Sequence, residues 1–529
     1  MKKTLSIDFS KRAIDLPLLV FLILFLDVKF VIKVVAILLI VLMDRDFRFG
    51  LSFRKSRLPL FYALIIGIEI IKYFFITRNY SFNYLLGFGM GMLQWGLCLL
   101  AIHTIRLHVD RNTTAKLYNT IKLFYFLNFL VSLFFLTLLI VHPSSLTYWG
   151  QGSDISIFHP SAGDAILGIT FDTSTANATI CCLGLIFFVY KRDIPFMIIC
   201  GLAIVICTSN TTFIFTVALL VTMVLTVRSK KLRLRCLATA ISIGILYLLV
   251  SAQNREYIHN YFVQLYVLNK DTAFASRSLR AEIAQDTSGK PEPNAPPVAV
   301  DSNLYKVGHG DLKKALGNFF TLDEKPIEKA SAGRIDSIER KEIDDSAIYP
   351  SVSIEAYLSK PGKLISFAQT CYFLKMTPIH FLFGAGTGNF SSKLAFRLAG
   401  TGVQGSYPKK YNYVAQAFRY NHLKTYLTYA KMDASRHSVL NFPFSIYNQL
   451  LGEYGFIGFL LFVLTYLGFF VRRYRRLSYG RYMLLGILAF FLMEYWFELL
   501  SLVVIFELFM FLNLKEGRDP ALPPAAPAD

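Results

Sequence analysis

Charge is scarce in this chain. Only 17% of its 529 residues are Asp, Glu, Lys or Arg, well below the usual globular share, and 54% are hydrophobic. So little charge excludes a purely water-soluble globule and leaves a polytopic membrane protein. Acid is scarcer than base, 35 residues against 55, for a net charge of +20. Cysteine is sparse as well. Of the seven, Cys98, Cys181, Cys182, Cys200 and Cys207 fall in apolar runs, Cys236 begins one, and only Cys371 lies in the long polar region. A lone thiol there excludes an intradomain disulfide, and no spacing resembles a zinc site. There is no Gly-Lys-Ser/Thr phosphate loop and no internal repeat.

What is there instead is a series of apolar runs long enough to cross a hydrocarbon core. Between them the backbone must be helical, because an unpaired amide in lipid costs several kcal/mol. The runs predict an all-α polytopic membrane protein with about twelve transmembrane helices, near 14–28, 29–43, 58–77, 82–102, 123–142, 172–190, 194–208, 211–227, 236–253, 455–471, 482–499 and 500–514. The first two could be one long helix. Asp27, Lys29 and Lys33 would then sit near the bilayer centre, so a hairpin is expected.

Lys and Arg fall in every second loop: before the first span, then at 44–57, 103–116, 190–193, 228–235 and 472–481. This asymmetry predicts cytoplasmic N- and C-termini and accounts for most of the net charge, so nucleic acid is not an expected partner. The first apolar segment has no small-residue cleavage site and reads as a retained span. The domains that follow are an N-terminal bundle (1–253, about nine helices), a large periplasmic loop domain (254–438), three C-terminal helices (439–514) and a Pro/Ala-rich tail or appended remnant (515–529).

Within the large loop, residues 360–378 have apolar residues at helical spacing up to Pro378, which predicts an amphipathic helix against the membrane face. The stretch GAGTGNF (384–390) follows, then a segment crowded with Tyr and basic residues (406–437). Arg397, Arg419, Arg436, Lys409, Lys410 and Lys424 can neutralise phosphate, and Tyr407, Tyr411, Tyr413, Tyr420, Tyr426 and Tyr429 offer flat faces suited to sugar rings. Interfacial anchoring explains the same tyrosines. The glycines suit tight turns and close backbone packing, as a hinge with amides near a bound pyrophosphate.

Three patterns then resemble a family. GITFDTSTANATICCLGLIFF (168–188), KLISFAQTCYFLKMTPIHFLFGAGTGNF (363–390) and HSVLNFPFSIYNQLLGEYGFIGFLLF (437–462), in this order around one large late loop, resemble the bacterial O-antigen polymerase and ligase superfamily, Wzy-type and WaaL-type. Lys363 stands where an Arg is usual. His437 lies further from Glu453 than in the ligase pattern, which favours the polymerase.

The resemblance implies a metal- and cofactor-free glycosyltransferase at the periplasmic face of the bacterial inner membrane. Its partners would be undecaprenyl-pyrophosphate-linked oligosaccharide, as donor and as acceptor, membrane lipid, and a chain-length regulator protein. It would polymerise repeat units of O-antigen, capsule or exopolysaccharide. For this chemistry Arg397, Arg419, Arg436 and Lys363 are candidates to hold the pyrophosphate, and His437 beside Arg436, with Glu453 in reserve, is the candidate base. Glu453 could equally cap a helix start. A ligase and a lipid-linked glycan transporter are the competing readings, the latter disfavoured by the lack of repeats.

Overall fold

The computed structural model describes residues 14–43, 58–141, 166–250, 361–400, 407–430 and 439–518. These belong to one compact unit, 1–258 with 351–529; the second unit, 259–350, lies outside the described residues. Among the described residues every regular element is a helix.

The chain opens with α1 (Leu16–Phe25) and α2 (Phe30–Met43), packed as a hairpin. The expected break falls at 26–29. Lys33 folds back so that its ammonium caps the Phe25 carbonyl at 2.8 Å, which removes the isolated charge that a single helix would have stranded. Next come α3 (Phe61–Lys72), extended by a wide turn to Thr77, α4 (Phe82–Arg111), α5 (Thr114–Val141), α6 (Ser174–Lys191), α7 (Ile194–Ile206), α8 (Asn210–Thr226) and α9 (Lys230–Val250).

One boundary departs from expectation. The basic stretch 103–116 is not an open loop, because α4 runs on to Arg111 and only Asn112 and Thr113 separate it from α5. Two of its side chains are paired locally. Arg106 pairs with Asp110 at 2.8 Å and lies over the Phe511 ring, and His108 Nδ1 meets Asp15 at 2.7 Å.

Among the described residues, five helical segments are long and apolar enough to cross a membrane: Phe82–Arg111, Thr114–Leu138, Ser174–Lys191, Lys230–Leu249 and Ile446–Arg476. Shorter apolar helices accompany them. Large side chains such as Leu42, Ile71, Phe75, Leu225 and Leu249 face outward, as lipid-facing surfaces do.

After residue 360 come α10 (Gly362–Met376), α11 (Pro378–Phe383), α12 (Lys393–Leu398) and α13 (Lys424–Ala430). Helix α10 buries Lys363, Ser366, Gln369 and Thr370 together with Ile365, Phe373 and Leu374 against α13 and the next helix, while Leu364 and Tyr372 point out.

That next helix, α14 (Ile446–Leu461), starts well before the expected 455 and is broken at Gly455, with φ +67° and ψ −167°. Then α15 (Gly480–Phe490) stops short of the expected 499. With 11 residues it is about 16 Å long, about half the hydrocarbon thickness. The single turn α16 (Trp496–Leu499) and α17 (Ser501–Glu516) complete the unit. Helix α17 is buried from Ser501 to Leu514 and touches α4, α5, α6, α15 and α16. Its one acidic residue in that span, Glu507, accepts from the hydroxyls of Tyr62 (2.7 Å) and Tyr466 (3.1 Å).

Candidate active site

The GAGTGNF loop folds backbone against backbone onto the break in α14. Gly384, Gly386 and Gly388 all have positive φ (66°, 98°, 75°). A Cβ on Gly384 would lie 2.6 Å from the Glu453 carbonyl, and one on Gly455 would lie 2.5 Å from the Leu382 carbonyl, so at both positions only glycine fits. The closeness lets Ala385 N donate to Gly452 O (2.8 Å) and Gly386 N to Glu453 O (2.9 Å).

Gly384 N donates to His380 O (2.9 Å) and Asn389 N to Gly386 O (3.1 Å), and other amides in and just after this stretch go to three buried carboxylates. Thr387 donates from both N (3.1 Å) and Oγ1 (2.8 Å) to Glu69 Oε2. Phe390 N (3.4 Å) and Ser391 N (3.2 Å) donate to Glu453 Oε1, and Leu394 N donates to Glu498 Oε2 at 2.7 Å. Lys72 locks the arrangement, donating to Glu69 (3.1 Å) and to the carbonyls of Glu453 (2.6 Å) and Phe383. The expectation that these amides face a pyrophosphate is therefore corrected. They are spent on the protein's own carbonyls and carboxylates, and a loop so tied is a fixed platform and not a hinge. Glu453 neither caps a helix start nor faces an open cleft. It is fully buried and organises the loop from behind.

The loop delivers α12, and with it Lys393 and Arg397, to one end of the bundle. Ser392 caps the helix, its Oγ accepting from Ala395 N at 3.0 Å. Lys393 is buried and pairs with Asp172 at the start of α6, 3.4 Å away. Arg397 is half-buried one turn further, in electrostatic range of Lys33, Glu498 and Tyr407.

The carbonyl of Arg397 accepts from Tyr407 N (3.1 Å) and that of Leu398 from Tyr413 N (2.9 Å), so the Tyr-rich segment is laid alongside α12. Tyr411 and Tyr413 lean on the start of α4, near Phe82 and Tyr84, and Asn83 donates to the carbonyl of Asn412 at 3.0 Å. Burial pushes the Tyr407 phenol up, with Arg397 opposing.

The other sequence candidates divide. Arg419 is half-buried at the start of a wide turn, 419–423. Tyr420 is buried and offers no ring face to a ligand. Lys363 is a second correction. Its ammonium is buried and donates to the carbonyls of Phe442 (3.2 Å), Phe444 and Met493 (3.2 Å), which uses all its protons. Burial pushes it down to about 7, with Glu494 opposing. It fastens α10 to the turn after α15. Arg436 and His437 lie outside the described residues.

Sequence reasoning passed over His422, which is fully buried on the same wide turn. Its Nε2 lies 3.1 Å from the Ser366 carbonyl, and its Nδ1 lies 2.7 Å from Ser391 Oγ, itself 2.9 Å from the Tyr495 hydroxyl. Burial pushes His422 down to about 3, with the Ser366 carbonyl opposing and Lys363 adding to the fall. The neutral ring therefore donates from Nε2 and accepts from Ser391. Without solvent access this pair positions the loop and attacks nothing. Glu69, Glu498 and Lys393 were also passed over as site residues. Ionisable groups inside apolar runs were the signal that could have found the two glutamates.

What the arrangement can do chemically is present one half-buried guanidinium, backed by a buried Lys–Asp pair, next to partly exposed tyrosine rings. Comparisons with protein-family models, curated proteins and solved structures find no match for this chain.

Proposed function

We propose that the protein is a membrane glycosyltransferase that polymerises oligosaccharide repeat units carried on undecaprenyl pyrophosphate, working at the periplasmic face of the bacterial inner membrane. On this reading the chain crosses the membrane about twelve times, with both termini in the cytoplasm, and the end of the bundle carrying α12 faces outward.

The observation that carries the reading is Arg397, held half-buried on α12 beside Tyr407, Tyr411 and Tyr413. Transfer breaks the bond between an anomeric carbon and a pyrophosphate that leaves with about two to three negative charges. A fixed cation in a partly dehydrated cleft stabilises that developing charge by several kcal/mol. Arg397 supplies the cation, and Lys393, one turn before it on α12, is held in place by its pair with Asp172. The tyrosine faces hold the sugar rings. Arg436 and His437 remain the candidates to complete the charge neutralisation and to take the acceptor proton. No metal or nucleotide sugar enters the reaction.

The test is to incubate the purified protein with a defined lipid-pyrophosphate oligosaccharide. A ladder of longer glycans supports polymerisation. Product only with a second acceptor would make the protein a ligase, and movement of the lipid across a vesicle without any new bond would make it a transporter.

A further inference from the structure

Behind the glycine loop lies a cavity of about 10 Å³, room for one occupant of about water size. It is lined by Gln94 and Trp95 of α4, Thr387 of the loop, Gln449 and Glu453 of α14, and Glu498 of α16. The nitrogens in this lining are already engaged. Gln94 Nε2 donates to the Glu498 carbonyl, Gln449 Nε2 to Glu498 Oε1, and Trp95 Nε1 to the Tyr454 hydroxyl.

Two oxygens are not. Glu453 Oε2 and Gln449 Oε1 are buried and have no hydrogen-bond partner, on side chains that are 0% and 1% exposed. Left so, each would forfeit its hydration without return. The wall therefore asks for something that brings positive charge or donors.

The charge around the cavity points the same way. From α3, Lys72 gives its protons to Glu69 and two carbonyls. From α12, Lys393 goes to Asp172, and Arg397 lies toward Glu498. Tyr454 accepts from Trp95, and its hydroxyl lies 3.4 Å from Thr387 Oγ1. Glu453 accepts two long amide bonds at Oε1, and Lys72, though in electrostatic range of it, gives its protons elsewhere. Among the described residues no three His, Cys, Asp or Glu come together, so the ligand set is unlike that of zinc or another transition metal. Hard, unpartnered oxygen atoms beside a broken helix are instead the setting in which membrane proteins hold small monovalent cations.

We propose that this cavity is a monovalent-cation site, with Glu453 Oε2 and Gln449 Oε1 as its principal ligands and a sodium-sized ion as the occupant. Binding neutralises Glu453 and ties α14 to α16 under the platform that carries α12. The site is independent of the glycan reading, and its test does not involve glycan transfer.

The experiment follows the thermal unfolding midpoint of the full chain in detergent, titrating sodium chloride against choline chloride at constant ionic strength, and repeating at several pH values from neutral upward. The wild-type midpoint rises saturably with sodium, and more steeply at higher pH, where a proton competes less for Glu453. Glu453→Gln loses the dependence, and Gln449→Leu shifts it at least about 10-fold toward higher sodium concentration. Should Glu453→Gln not accumulate, Gln449→Leu decides alone. The proposal is overturned if the wild-type midpoint falls with pH but ignores sodium, which a protonated Glu453 alone would give, if it responds to neither variable, or if the variants respond as the wild type does.

Discussion

Replacing Gly384 by alanine tests the join between loop and helix most directly. At φ +66° and ψ −166° this residue occupies a region open to glycine almost alone, which costs a side chain about 1–3 kcal/mol. The new Cβ would stand 2.6 Å from the Glu453 carbonyl carbon and oxygen, atoms of a backbone held by Lys72, and forced overpacking of that kind costs about 1–3 kcal/mol. If the two backbones part, the hydrogen bonds from Ala385 and Gly386 go as well, at about 0.5–1.5 kcal/mol each. The sum, about 3–9 kcal/mol, is comparable with the whole stability of an ordinary fold, about 5–15 kcal/mol.

The expected outcome is a protein that inserts but unfolds at markedly lower temperature in detergent. Gly89→Ala provides the control, since a Cβ there meets nothing within 4 Å on an exposed face of α4; it should be neutral or stabilising by about 0.5–1 kcal/mol. Equal unfolding temperatures for Gly384→Ala and Gly89→Ala would refute the packing argument.

Arg397→Ala should lower the rate of glycan extension about 10²–10³-fold, the usual effect of losing one preorganised group that stabilises transition-state charge, with partial recovery in Arg397→Lys; a radiolabelled or fluorescent ladder reads both. Tyr413→Ala should raise the acceptor KM about 2–10-fold, the worth of about 0.5–1.5 kcal/mol in ring contact, while leaving the midpoint of unfolding near that of the wild type. His422 is held near 3 when folded against 6.5 when free, so the unfolded chain binds more protons between those values. Stability is then fully present above about pH 6.5 and is lost as pH falls toward 3, and His422→Asn should flatten that acid limb in a melting series. Glu507→Leu should destabilise by about 1–3 kcal/mol for each tyrosine hydroxyl it strands, Tyr62 and Tyr466, measured as a fall in unfolding midpoint.

The helices were legible in the sequence because apolar length is a local property. The hairpin at 26–29 could be read from Lys33 and Asp27, and the glycine loop announced close packing through its three glycines. What could not be read was pairing across the chain. Lys363 has the look of a phosphate ligand until the carbonyls of Phe442 and Met493, far along the sequence, are seen around it. The loop amides look free until Glu69 arrives from α3 and Glu498 from α16. Nor does any periodicity reveal that α10 buries Lys363, Ser366, Gln369 and Thr370, because that depends on which neighbour supplies the partners. His422 was hidden in a segment whose tyrosines and arginines drew the reading toward the surface.

Helix α17 is enclosed by α4, α5, α6 and α15, every one of which precedes it in the chain. During synthesis the ribosome therefore releases the walls before the central post, and α4 to α6 must wait in the bilayer with an unfilled groove between them. The bundle cannot close until α17 has been made, and a stop codon anywhere before residue 501 would leave a hollow assembly for membrane quality control to clear.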